Sequence, residues 1–264
     1  PNNEMKSISG FFANNFFFQL SILINQKFST ELINETFNMY DSILTRMNEN
    51  DFSSQAHFRI AELKYLITHD FEGAIKSYKS ASNKNIRDIY LKSNLRISDV
   101  NFSAGKIDES IFQLENMLEN SYFNNQEKEL IKINLIKKYF LNGKLETSNN
   151  LISEILLLIK YENIFFNDLI ELKRYIEKHY IENDFQNKDA FLNYLIGEKL
   201  LAQNKIIEAM SYFNDVLKNY GKTSIIPETT FRLAQINQQL ENYEKSLSLL
   251  KTLENSILKS EAMV

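Results

Sequence analysis

The chain has 264 residues, 44% apolar and 24% charged, with a net charge of -4 and no cysteine. That length allows one extended domain or two compact ones, the mild charge gives no electrostatic reason to expect a polyanionic partner, and the missing cysteines exclude disulfides and thiolate metal sites. Two prolines and six glycines leave most of the chain free of strand and turn punctuation, so the abundant Leu, Ile, Lys, Glu and Asn point to helices.

The chain opens at Pro1 rather than Met, so we expect a processed or trimmed form from which a signal peptide has been lost. The first helix-length stretch is FFANNFFFQLSILI, residues 11 to 24. A membrane span needs about 20 apolar residues in a row, and Asn14, Asn15, Gln19 and Ser21 interrupt this run. Phe12, Phe16, Phe17, Leu20, Leu23 and Ile24 share one arc of a helical wheel, as in a packed amphipathic helix. With a second helix from about Thr30 to Met47, it is expected to form a diverged N-terminal hairpin over residues 1–50 that caps the array behind it. Phe11, Phe18 and Ile22 fall on the outer, polar side and are expected either to form a contact patch for a partner, a second copy or a membrane protein, or to be covered by the preceding residues folding back.

From residue 51 onward a pattern recurs. Five segments align: DFEGAIKSYKSA, KIDESIFQLENM, KLETSNNLISEI, KIIEAMSYFNDV and NYEKSLSLLKTL. Each carries a small residue (Ala74, Ser110, Ser148, Ala209, Ser246), a large one four places on (Tyr78, Leu114, Ile152, Phe213, Leu250) and an apolar one three beyond that (Ala81, Met117, Ile155, Val216, Leu253). Spacings of three and four place these residues on one helical face. A second helical run precedes each segment. It ends in a short turn at His69-Asp70, Gly105-Lys106, Gly143-Lys144, Asn204-Lys205 or Asn242, where Gly and Asn suit the left-handed end of a helix. Four of these upstream runs carry a small residue of their own: Ala61, Ser98, Gly197 and Ala234, with Ile136 the exception. Facing small residues let two helix backbones approach closely, at about 8 Å rather than 10 Å.

The small anchors are spaced 36 and 38 residues apart, then 61, then 37. The long interval contains NIFFNDLIELKRYIEKHYIEND, which reads as one extra helix from about Asn163 to Tyr180. The organisation expected is therefore the hairpin of 1–50, repeats over 51–160, an extra helix and bend over 161–185, and further repeats over 186–258.

The pattern resembles the tetratricopeptide repeat (TPR), a helix-turn-helix of 34 residues. The clearest copy is YLIGEKLLAQNKIIEAMSYFNDVLKNY, where Gly197, Leu200, Ala209, Phe213 and Val216 match the family's small and large positions. The resemblance implies an all-α fold, a right-handed superhelical solenoid of antiparallel helix pairs, serving as a protein–protein interaction scaffold within a larger assembly. A substrate-binding chaperone or adaptor with transient clients is the alternative. In the family, the first helix of each pair lines a groove. Projected here, the groove positions are Phe58, Tyr65, Leu95, Phe102, Ile133, Phe140, Phe191, Tyr194 and Phe231. They are apolar, which implies a hydrophobic or amphipathic partner segment rather than a carboxylate clamp. These residues either face a partner or pack between neighbouring first helices. FNDVLKNYGKTSIIPETTFRLAQI further resembles bacterial envelope proteins of the Tol-Pal and outer-membrane assembly type, although Gly221 stands where they have proline. It implies a periplasmic or envelope location.

Chemistry is not signalled. The three histidines, His57, His69 and His179, sit at no ligand spacing, and there is no phosphate loop, dinucleotide fingerprint or nucleophile elbow. We therefore expect no enzyme, no cofactor and no metal. Lys137, Lys138, Lys173, Arg174 and Lys178 are read as solvated faces beside inward-packed aromatics, without nucleic-acid binding.

Overall fold

In the computed structural model, residues 30–46 and 51–261 are described. The expected N-terminal cap helix, its arc from Phe12 to Ile24, and the patch residues Phe11, Phe18 and Ile22 lie outside them. Among the described residues all regular structure is helical. The helices are α1 (Thr30–Arg46), α2 (Asp51–Leu66), α3 (Phe71–Ala81), α4 (Arg87–Ser103), α5 (Ile107–Glu119) and α6 (Asn125–Leu141). They continue with α7 (Leu145–Leu156), α8 (Phe166–Ile176), α9 (Phe185–Ala202), α10 (Ile206–Asn219), α11 (Ile226–Gln239) and α12 (Tyr243–Glu261). A π-helical turn, Glu177–Ile181, extends α8. The chain falls into two compact units that meet between Lys138 and Tyr139, inside α6.

The fold is the all-α array of antiparallel helix pairs read from the repeats. In the unit up to Lys138, α1 packs on α2, α2 on α3, α3 on α4 and α4 on α5. In the unit from Tyr139, α7 packs on α8, the π turn on α9, and α9 through α12 each on the next. The extra helix is thus a packed member of the second unit.

The turns explain why the pairs close so tightly. His69, Gly105, Gly143, Asn204 and Glu241 all have positive φ, the conformation that ends a helix and reverses the chain. The last of these is Glu241, one residue before the expected Asn242. At four turns the backbone repeats one hydrogen-bond pattern. After α4, the amide of Lys106 donates to the Asn101 carbonyl (2.8 Å) and that of Gly105 to Phe102 (3.0 Å). After α9, Lys205 donates to Leu200 (2.9 Å) and Asn204 to Leu201 (2.9 Å). These are Schellman closures, which satisfy carbonyls the helix end would leave bare. The turn after α2 is one residue longer, and there Asp70 reaches back to Lys64 (2.9 Å).

Behind the turns the small residues sit where the helices meet. Ala61, Ala74, Ser98, Ser110, Ser148, Ala209 and Ala234 are sealed from solvent, with the large anchors Tyr78, Leu114, Ile152 and Phe213 beside them. Gly197 shows why size matters. A Cβ at that position would lie 2.5 Å from the Phe213 ring, well inside van der Waals contact. At Ser98, Ser110 and Ser246, where serine takes the small position, the hydroxyl bonds across the pair. Ser98 donates to the Ser110 carbonyl (3.0 Å), Ser110 to the Ser98 carbonyl (2.7 Å) and Ser246 to the Ala234 carbonyl (2.8 Å). A buried hydroxyl left unbonded would be destabilising, so the bond is what lets serine replace alanine here.

Candidate functional site

The first helices of the pairs were expected to present an apolar groove. Tyr65, Leu95, Phe102, Ile133, Phe140, Phe191 and Tyr194 are instead core residues, none more than 8% exposed. Phe58 and Phe231 are half-buried, and Phe58 meets Tyr78 edge-on with centroids 5.4 Å apart. The reason is the spacing of neighbouring first helices, which brings aromatic side chains on adjacent helices together. In the second unit Phe140, Tyr175, His179, Phe191, Tyr194 and Phe213 form a continuous aromatic column, with successive centroids between 4.6 and 6.4 Å apart. The seven buried positions pack between the repeats, the second of the two readings, while Phe58 and Phe231 keep part of their surface exposed.

Charged residues join the first helices as well. Glu198 of α9 and Arg232 of α11, 34 residues apart, form a buried bidentate pair, Nε to Oε1 at 2.5 Å and Nη2 to Oε2 at 2.9 Å. The same relation recurs in the first unit, where Arg96 of α4 reaches Glu62 of α2 at 3.0 Å. There the chain of charges continues through Asp99, bonded by Arg96 (3.2 Å) and by Lys138 of α6 (2.6 Å). Lys138 is 2% exposed and lies 4.8 Å above the Phe102 ring, so it is a buried partner of Asp99 and not a solvated lysine. Burial pushes the Asp99 carboxyl up, but the two cations outweigh it and the group titrates below its ordinary range. Burial, then the Glu198 carboxylate, push the Tyr194 phenol well above its own.

The pattern is present in the sequence, in polar positions that the apolar periodicity passes over. An acid follows the small residue of one first helix (Ala61-Glu62, Gly197-Glu198), and an arginine precedes the small residue of the next by two (Arg96 before Ser98, Arg232 before Ala234).

His179 is a second residue that periodicity did not single out. The π turn carries it into the core, fully buried, with Nδ1 2.7 Å from the Ser224 hydroxyl and Nε2 3.7 Å from Glu228 Oε1. Burial, with the Lys178 ammonium nearby, holds its pKa down at about 3, so the ring is neutral. It clamps the α10–α11 connection to the end of α8.

Outside these contacts, large apolar side chains such as Phe112, Phe185 and Ile207 are exposed on the helices, and two further features stand out. In the second unit, the connector from α7 to α8 carries Leu157, Leu158, Tyr161 and Ile164, between 61% and 87% exposed. Its backbone is ordered by bonds such as Ile159 to the Ile155 carbonyl (3.0 Å) and Phe166 to Asn163 (2.9 Å), and Ile159 anchors it in the core. In the first unit, an open cleft of about 660 Å³ lies between α3, α4 and α5. Among the described residues no helix is long and apolar enough to cross a membrane.

Comparison with known proteins adds little. No family model matches the chain, and no curated protein matches it. A crystal structure from Podosopora anserina, described as putative kinesin light chain nearly identical TPR-like repeats, superposes with a TM-score of 0.37 at 12% identity, covering 82% of this chain and all of that one. So loose an overlap does not assign a family, and the repeat reading rests on the helix pairs themselves.

Proposed function

We propose that the protein is a non-enzymatic protein–protein interaction scaffold, a subunit or adaptor that meets its partner through exposed connector side chains. The observation that carries this reading is the run Leu157, Leu158, Tyr161 and Ile164, four large apolar side chains turned to solvent within eight residues on a connector whose backbone is hydrogen-bonded in place. Clustered exposed apolar groups on a soluble fold mark interaction sites, and burying each is worth roughly 1.5–3 kcal/mol. The burial of most of the first-helix aromatics supports a partner surface outside the groove that the TPR resemblance implies. The three histidines are accounted for by position, His57 half-buried on α2, His69 in a turn and His179 in the core, which supports a role without catalysis. For location we propose the bacterial envelope, supported by the resemblance at residues 213–236 alone. Fractionation of cells expressing the tagged protein tests it.

The test of the scaffold is purification of the tagged full chain from its native cells beside the triple variant Leu157→Ser, Leu158→Ser, Ile164→Ser. We expect the wild type to retain one partner at a fixed ratio and the variant to lose it without a change in melting temperature. Retention of the same partner by the variant would move the docking surface elsewhere. A changing set of weakly held clients on the wild type would favour a chaperone instead.

A further inference from the structure

We infer that the outer stripe of α12, formed by Tyr243, Leu247 and Leu250, pairs with the same stripe of a second copy of this chain in an antiparallel, two-fold contact. This surface is separate from the α7–α8 connector, and the inference goes beyond the scaffold reading. The three side chains stand four and then three residues apart, on one side of the helix, and are 63%, 53% and 39% exposed. Ser246 and Leu253 of the same helix are buried, in the pair that α12 makes with α11.

The repeat shows that this stripe is built to be covered. Leu250 occupies the large position held by Tyr78, Leu114, Ile152 and Phe213 in the earlier pairs, and all four of those are sealed from solvent. In α3 the matching stripe is Phe71, Ile75 and Tyr78, which joins one cluster with Ile97 and Val100 of the following first helix, α4. The two ends of the α12 stripe depart from that pattern. One end is Tyr243, where the earlier copies have Phe71, Ile107, Leu145 and Ile206. The other is Glu254, about two turns beyond Leu247 on the same side, where they have Ser82, Leu118, Leu156 and Leu217. Another first helix would bury that carboxylate against apolar side chains, which is costly unless the charge is bonded.

A second α12 supplies the bond. In an antiparallel pair centred between Leu247 and Leu250, Leu247 falls opposite Leu250 of the second copy. The same register brings Tyr243 opposite the second copy's Glu254, so a phenol donates to a carboxylate at each end of the seam. On the flank away from Ser246 and Leu253 stand Glu244 and Lys251, both exposed and about two turns apart. Across the seam Glu244 reaches the second copy's Lys251, and Lys251 reaches its Glu244. The stripe is thus complementary to itself, which is what a two-fold contact requires. From Tyr243 to Glu254 it runs about 16 Å. The contact therefore falls at the low end of interface sizes, below about 1,200 Å² in total, and the dimer is expected to dissociate in the micromolar range.

Sedimentation of the full chain over a concentration series should show a monomer–dimer equilibrium. Leu247→Asp should leave the protein monomeric at about 100 μM without changing the melting temperature of the dilute chain. Glu244→Lys and Lys251→Glu each set like charges against one another at both ends of the seam, and each should weaken the dimer about tenfold at low salt and less in high salt. Mixing these two single variants restores both opposite-charge pairs, so their heterodimer should form with wild-type affinity. A wild type that stays monomeric at about 100 μM gives the stripe to some other helix and overturns the proposal. A dimer that survives Leu247→Asp, or a mixture no tighter than its components, overturns it as well. The triple connector variant Leu157→Ser, Leu158→Ser, Ile164→Ser should dimerise as the wild type does, so this proposal and the connector reading fail separately.

Discussion

Acid should loosen this protein through His179 before it loosens the carboxylate network. In the unfolded chain the imidazole titrates at its ordinary value of 6.5, and in the fold burial holds it at about 3. The folded value is the lower one. Between the two, the unfolded chain holds a proton that the folded chain refuses, so stability falls as pH falls through that window and is unaffected above it. One pKa unit is about 1.4 kcal/mol, so the loss is about 2 kcal/mol on going from pH 7 to pH 5 and approaches 5 kcal/mol near pH 3. For a domain of this size the first step lowers the melting temperature by roughly 4–8 °C. His57 and His69 are also held down by burial and add a slope of their own, so the wild type alone does not isolate the effect. His179→Asn does. An asparagine can keep the bond to Ser224 but cannot titrate. Melting followed by circular dichroism from pH 7.5 to 4.5 should give a shallower profile for the variant, with the two curves diverging below pH 6.5. Parallel curves would show that the ring protonates in the fold, most simply by pairing with Glu228 at 3.7 Å, and the reasoning from desolvation would fall.

Two further substitutions probe the contacts between helices. Gly197→Ala must displace the Phe213 ring, since the new Cβ would meet it at 2.5 Å; urea denaturation should show a loss of about 1–3 kcal/mol, and an unchanged midpoint would mean that the ring has room to turn. Arg232→Met strands Glu198 in the core and should be destabilising by about 3–5 kcal/mol. The double variant with Glu198→Leu should recover most of that in a double-mutant cycle, and a double no better than the single would show that the pair is not a unit.

The helix pairs were legible because their cause is local. A small residue must sit where two backbones touch, a large one must fill the space beside it, and both leave a spacing of three or four that one sequence displays. The groove was not legible. Phe102 and Phe191 stand where the TPR family lines its groove, yet whether such a side chain meets a partner or a neighbouring helix depends on the distance between helices about 35 residues apart. No local pattern reports that distance. The Glu198–Arg232 pair could have been found, because it repeats with the unit at Glu62–Arg96, but only by comparing the polar positions of successive copies as closely as the apolar ones. His179 was hidden for a different reason. The π turn adds a residue to the helical period, so a wheel drawn at 3.6 residues per turn misplaces whatever follows Ile176.

The serine bonds have a mechanical consequence. In α4–α5 and α11–α12 the point of closest approach is pinned by directional bonds, Ser98 with Ser110 and Ser246 with the Ala234 carbonyl. In α2–α3 and α9–α10 the same point is made by Ala61 with Ala74 and by Gly197 with Ala209, which carry no hydroxyl. Dispersion between smooth surfaces resists separation but scarcely resists sliding, whereas a hydrogen bond weakens steeply when its angle is turned. The α2–α3 pair is tied besides by Tyr78 donating to Glu62 and Lys64 Nζ donating to the Ser77 hydroxyl (3.3 Å), so of these four pairs α9–α10 is the compliant one. Under load, axial slip will concentrate in α9–α10, while the pairs crossed by hydrogen bonds move as rigid blocks.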